Sequence, residues 1–418
     1  MQRDSFKTKL RNVFLWLSII GPGIITANVD NDAGGITTYS LAGTLYGYSL
    51  LWTLIPITLA LIVVQEMVAR MGAVTGKGLA DLIREKFGAK ATLYLMIGVL
   101  IANLANTVGE FAGVAAAGEV FGISKYISVP LSALLVWWLV VKGTYRTVEK
   151  VFLTACVFYV AYIISGVMGK PPWDEVIRTT MTPSFSFQPS YVTMLIGVVG
   201  TTIAPWMQFY LQSSIVEKGI GVKDYKYSRL DVVIGCFVTD IVAWFIIVAC
   251  AATLFKHQIQ IETAKDAAIA LRPLAGKYAS ALFAFGLFNA SVFAASILPL
   301  STAYSVCEGM GWESGVDKKP IEAPWFYGLY FGLISLGAGI VLYPDAPLIM
   351  MMYLSQVANG VLLPFVLIFI QLLINDHRLM GNSVNSYWYN ITAWVTTWVM
   401  IGLTILLLVT TLFPNILG

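Results

Sequence analysis

The chain has 418 residues, 58% of them hydrophobic and 12% charged, with a formal net charge of +3. A soluble domain is about 45–50% apolar and about 25% charged, so this composition excludes an ordinary soluble protein and describes a polytopic membrane protein. The small net charge and the lack of a basic run give no footing for a nucleic-acid partner. Cys156, Cys236, Cys250 and Cys307 stand singly in apolar runs with no CxxC, which reads as packing thiols rather than a disulfide frame or metal cage.

The first apolar run, 13–46, is longer and more polar-interrupted than a signal-peptide core, so no cleavable leader is expected. Runs able to cross about 30 Å of hydrocarbon continue at 48–69, 92–121, 128–141, 151–168, 191–216, 230–255, 278–308, 324–343, 347–374 and 389–413. The fourth is short and is expected to extend into its flanking loop. All 26 Lys and Arg residues lie outside these runs. A cytoplasmic N-terminus, with Arg3, Lys7, Lys9 and Arg11, puts most of them inside and the C-terminus outside. The loops leave no room for a separate soluble domain, so 1–418 is expected to be one transmembrane transport domain in a plasma or inner membrane.

Two runs are interrupted. The first carries "NVDNDAGG" (28–35), the sixth "GTTIAPWMQ" (200–208). Proline removes a backbone donor and clashes with the preceding turn, and Gly34-Gly35 weakens helix propensity. Non-helical backbone at membrane depth survives only where protein or a watery cavity surrounds it. Breaks five spans apart predict an all-α, LeuT-like five-plus-five inverted repeat with a midplane site between two unwound helices. The repeats are expected over 13–168 and 191–374, with 389–413 as an additional eleventh helix.

Carboxylates at membrane depth are costly and mark ion or substrate paths. Asp30, Asp32, Glu110, Glu119 and Asp240 fall inside the runs, with Glu66 and Glu308 nearer the ends, and no Lys or Arg is expected at their depth. For Asp30 and Asp32 a bound metal ion is the favoured reading. The alternative is that they cap the half-helix beginning near Ile36. Glu110 and Asp240 read either as path residues or as structural groups bonded to Asn, Ser or Thr of a neighbouring helix. Asn103, Asn106, Asn289, Gln356 and Asn359 are amides of the kind that join helices. Gln208 and Gln212, four apart after Pro205, share one face and are expected to line the path.

"QEMVARMGAVTGKGLADLIREKFG" (65–88) resembles the second-span signature of the Nramp divalent-metal transporters. "GPGIITANVDNDAGG" (21–35) is similar to that family's GPG-to-DPGN segment. "GTTIAPWMQFYLQSS" (200–214), "SVCEGM" (305–310) and "YLSQVANGVLLPF" (353–365) resemble its sixth-, eighth- and tenth-span motifs. The resemblance implies a metal site at Asp32, Asp30, Asn31, Thr201, Ala204, Gln208, Gln212 and Gln356. Gly34, Gly35, Pro205, Glu110 and Asp240 would be structural or gating residues.

The departures from the family pattern give a chemical direction. The DPGN aspartate falls on Asp32, its proline on Ala33 and its asparagine on Gly35, while Asp30 adds an acid. The family's methionine ligand falls on Ala204. The histidine and asparagine beyond its proline become Trp206 and Met207 or Gln208, and a second histidine falls on Gln212. In the third span the family's aspartate becomes Thr107, and its glutamate is kept as Glu110. Loss of a thioether and gain of an acid favour hard cations such as partly hydrated Mg²⁺, with Mn²⁺ also accepted. His257 and His377, the chain's two histidines, lie in loops, away from a membrane proton route. The pattern resembles the Nramp-related magnesium transporter branch and implies uncoupled, alternating-access transport by a monomer without a cofactor. The alternative within the family is a proton-coupled Mn²⁺/Fe²⁺ importer, and a remoter one is a Na⁺-coupled organic-solute symporter. An enzyme is not expected, since "GAVTGKG" lacks the ending and setting of a phosphate loop.

Overall fold

The computed structural model describes residues 26, 29–142, 160–316 and 318–412. Among these the chain is helical, without strands: α1 (Ala33–Tyr46), α2 (Leu51–Thr75), α3 (Leu79–Val120), α4 (Lys125–Lys142), α5 (Val160–Met168), α6 (Trp173–Met181), α7 (Pro189–Thr202), α8 (Pro205–Glu217), α9 (Tyr225–Thr253), α10 (Ala279–Met310), α11 (Pro324–Val341), α12 (Leu348–Ile374) and α13 (Tyr387–Leu412). The fold is the all-α, LeuT-like arrangement, with its first and sixth helices broken. The second, third and sixth to eleventh expected spans correspond to eight helical runs long and apolar enough to cross a bilayer. The fourth is the shorter apolar helix α4. The first and fifth lie partly outside the described residues, as do the N-terminal cations and Cys156. Cys236, Cys250 and Cys307 are buried free thiols.

Local chemistry ends the helices. Gly76 and Gly311 close α2 and α10 in the left-handed region, at φ 64° and 72°, where a β-carbon would be strained. Gly88 interrupts α3 at φ 81°. The third helix therefore starts thirteen residues before the expected 92, as an amphipathic turn leading into the span. Lys86 reaches across this bend to the Leu372 carbonyl and Asp376, and the Lys86 ammonium holds the Asp376 carboxyl below the usual carboxylate range.

Between membrane helices association rests on close packing and hydrogen bonds rather than hydrophobic burial, and glycines permit it here. A β-carbon on Gly200 would lie 2.2 Å from the Gln356 carbonyl, and one on Gly360 2.5 Å from the Ile196 carbonyl, so α7 and α12 touch backbone to backbone. Gly43 meets the Ile247 carbonyl of α9 in the same way, at 2.5 Å. Gly113 of α3 lies against Ser291 and Ala33, which brings the third helix to the start of α1. Amides complete the joints. Asn103 donates to Thr302 at 2.8 Å, and Asn106 and Asn359 exchange hydrogen bonds at 2.8 and 3.1 Å.

The expectation that no basic residue shares the depth of the acids needs correction at one point. Helix α2 runs on past 69, and Arg70 pairs with Glu66 one turn away at 3.0 Å. It also donates to the Ser383 and Val384 carbonyls at 2.8 and 3.0 Å and to Asn385. An ion pair within one turn lets the helix continue where hydropathy alone stops it.

Candidate metal site

The first break covers Asp30–Asp32. Asp32 is the N-cap of α1: its backbone is extended (φ −69°, ψ −173°) and its Oδ1 accepts from the Gly35 amide at 2.7 Å. The capping reading holds for Asp32. Gly34 and Gly35 are not part of the unwound stretch, as the sequence suggested, but form the first turn of α1. Nor do they open space. A β-carbon on Gly34 would lie 1.9 Å from the Gln356 amide nitrogen. On Gly35 it would lie 2.1 Å from the Asp30 carbonyl and 3.1 Å from Thr201 Oγ1. The glycines draw Asp30, Thr201 and Gln356 together. The second break is Ile203–Ala204, with Ala204 extended at ψ 138° and Pro205 opening α8.

Glu110 enters from α3. Its Oε2 accepts from the Ala33 amide at 3.2 Å, which sets its carboxyl close to that of Asp32. Asp30 leans the other way. Its Oδ2 is 3.4 Å from the Tyr39 hydroxyl and 3.5 Å from Thr239 Oγ1, both long, and Tyr39 bonds Thr202 at 2.7 Å. Asn31 spends its amide nitrogen on Thr239, at 2.7 Å to the hydroxyl and 3.3 Å to the carbonyl, so it fastens the break to α9. Asp240, next along α9, lies within electrostatic reach of Asp30.

The oxygens left open are informative. Asp30 Oδ1, Glu110 Oε1 and Gln208 Oε1 are buried with no hydrogen-bond partner, a costly state for polar groups that an incoming cation or its water would relieve. Gln208 sits one turn into α8, its nitrogen 3.4 Å from the Ala204 carbonyl. Gln356 gives its oxygen to Asn359 at 2.9 Å. Gln212 does not join this group: its nitrogen holds the Lys77 carbonyl at 2.9 Å, a turn farther along α8. Among the described residues no three acids, histidines or cysteines converge as a cage, so a bound cation would rely on amide, hydroxyl, carbonyl and water oxygens beside its acids.

Sequence reasoning passed over Tyr39, Thr202 and Thr239, which link three segments around Asp30. It also passed over Met352, whose sulfur accepts from Thr37 at 3.4 Å. This thioether lies one turn from Gln356 on α12, so the surroundings are not free of soft atoms. No motif marked these residues, because each is an ordinary helix residue until the helices are assembled.

The Nramp family model, described as natural resistance-associated macrophage protein-like, matches residues 23–410. The chain belongs to the Nramp family. Its similarity to the divalent metal cation transporter MntH of Bacillus subtilis is 25% identity, covering 98% of this chain and 96% of that protein. The MntH of Clostridium acetobutylicum is 27% identical, over 95% and 92%. A solved structure of the Eremococcus coleocola manganese transporter shares the fold, with a TM-score of 0.80 at 20% identity over 96% of this chain and 88% of that one. Nramp membership agrees with the transporter reading and with the absence of an enzyme motif.

Proposed function

We propose that this Nramp chain carries divalent metal cations across a membrane by alternating access, the cation passing between the break at Asp30–Asp32 and the break at Ile203–Ala204. The single observation that carries the reading is the set of buried acceptors without donors, Asp30 Oδ1, Glu110 Oε1 and Gln208 Oε1, gathered at two helix breaks. The relatives' names, divalent metal cation transporter and manganese transporter, point the same way. The chain would work as a monomer in the plasma membrane with its N-terminus cytoplasmic, built of the repeats 13–168 and 191–374 with 389–413 outside them.

The donors at the breaks are oxygens, and Ala204 stands where the family carries a methionine. This favours hard ions, Mg²⁺ with Mn²⁺, in a partly hydrated state. The negative-inside potential would then drive entry, at about 2.3 kcal/mol per charge per 100 mV. A second reading, proton-coupled Mn²⁺ import, is favoured by the relatives' names and by the Asp32–Glu110 carboxyl pair, which supplies a proton acceptor at the site. Purified protein in liposomes, loaded in parallel with a Mg²⁺-sensitive dye, a Mn²⁺-sensitive dye and a pH dye, tests both. Mg²⁺ entry with a silent pH dye supports the first. Mn²⁺ entry with lumenal acidification and no Mg²⁺ signal supports the second. Silence toward every divalent ion offered defeats both.

A further inference from the structure

A second acid is buried with nothing to bind. Asp240 is 5% exposed, and neither of its carboxyl oxygens accepts a hydrogen bond. The Thr58 hydroxyl on the same wall is spent on the Leu54 carbonyl at 2.6 Å. The carboxyl lies on the wall of a cavity of about 330 Å³ between the first turns of α2 and the middle of α9. Leu54, Leu59, Phe237, Ile241 and Trp244 line the rest. Leu59, Phe237 and Ile241 are each about half exposed on the outside of the bundle, so the crevice opens sideways, toward lipid.

We infer that this crevice binds a small lipophilic primary ammonium ion, its charged end on Asp240 and its apolar body among the walls. A bare divalent metal does not suit it, because such ions take six or more oxygen ligands and the lining supplies one carboxyl and one committed hydroxyl. A primary ammonium brings three donors to two open acceptors. The rings of Phe237 and Trp244 favour a cation beside them, and the aliphatic walls remove its apolar body from water. The ligand reaches the crevice by partitioning into the bilayer. Because Asp240 is within electrostatic reach of Asp30, a cation here disfavours a second one at the break, and the effect is reciprocal.

The test uses the full chain in lipid nanodiscs with 1-adamantylammonium as probe and 1-adamantanol as its neutral counterpart, empty discs being subtracted. Saturable binding of the ammonium is expected, with none for the alcohol. Asp240→Asn should weaken it about tenfold or more, the scale of a lost charge-assisted hydrogen bond. Leu59→Trp, which fills the mouth and leaves the acid in place, should weaken it as well. Equal binding of the alcohol, unchanged binding in both variants, or no saturable binding in the wild type overturns the inference. Inhibition of cation uptake by the ammonium is the second readout and alone rests on the proposed function. Uptake without ammonium binding sinks the crevice only; ammonium binding without uptake of any divalent ion sinks the transport reading only.

Discussion

The amide nitrogen of Gln356 occupies the place a side chain on Gly34 would take, 1.9 Å from the position of its β-carbon. Helices α1 and α12 therefore meet at the first break through a residue that has no side chain of its own. Gly34→Ala is expected to expel the Gln356 amide and cut divalent uptake about tenfold, the effect of about 1.4 kcal/mol. A double-mutant cycle with Gln356→Ser assigns the cause. If Gly34→Ala costs as much in the Gln356→Ser background as in the wild type, the contact is not responsible.

Asp32 caps α1 and is the proposed cation ligand, and two substitutions separate these duties. Asn is as good an N-cap as Asp, whereas Ala costs about 0.5–2 kcal/mol at such a position. Asp32→Asn should keep the melting temperature and lose uptake; Asp32→Ala should lose both. Wild-type uptake in Asp32→Asn would reduce the residue to a cap.

Glu110 holds the Ala33 amide and stands close to the Asp32 carboxyl. A glutamine there can still accept from Ala33 and donate to Asp32, but it cannot take up or release a proton. In the wild type, protonation competes with the cation for these oxygens, so uptake should fall as the medium is acidified. In Glu110→Gln that fall should be shallower, as read from initial rates across a pH series. An identical pH profile removes Glu110 from the competition.

Ala204→Met restores a thioether at the second break. Softer ligands favour Mn²⁺ over Mg²⁺, and the Mn²⁺/Mg²⁺ uptake ratio is expected to rise by about tenfold, or about 1.4 kcal/mol. Gly35→Asn is not a clean partner for this test, because its β-carbon would collide with the Asp30 carbonyl. A ratio unmoved by Ala204→Met would mean that Met352, or nothing soft, sets the preference.

Arg70 ties α2 to the segment before α13 and neutralises Glu66, which is 4% exposed. Removing one member of a buried ion pair costs about 3–5 kcal/mol. Arg70→Ala should lower the melting temperature clearly, and adding Glu66→Gln should recover part of the loss. No recovery would place the cost in the lost carbonyl contacts at Ser383 and Val384 instead.

The first break was legible in the sequence because a pair of acids amid apolar residues is too costly at membrane depth to stand in an unbroken helix facing lipid; Pro205 was the weaker sign of the second, since Pro56, Pro299 and Pro364 stand inside continuous helices. The LeuT-like class followed from the spacing of the breaks, and the capping role of Asp32 was recognised beside the metal reading. What the glycines accommodate was not legible, since a missing β-carbon does not say what fills its place; here it is Gln356 and the Asp30 carbonyl. Tyr39, Thr202 and Thr239 stayed hidden because their partners lie on other helices. Gln212 shares a helix face with Gln208, but one turn of rise carries it to the Lys77 carbonyl. Arg70 escaped a hydropathy reading because its charge is cancelled one turn away.

The bare contacts of Gly200 and Gly360 between α7 and α12, and of Gly43 between α1 and α9, leave no side chains at those points that could repack as the protein changes shape. Each pair is therefore expected to move as one unit. Opening by this logic moves welded pairs, so a bulky residue at Gly200 should stall the whole stroke rather than one helix of it.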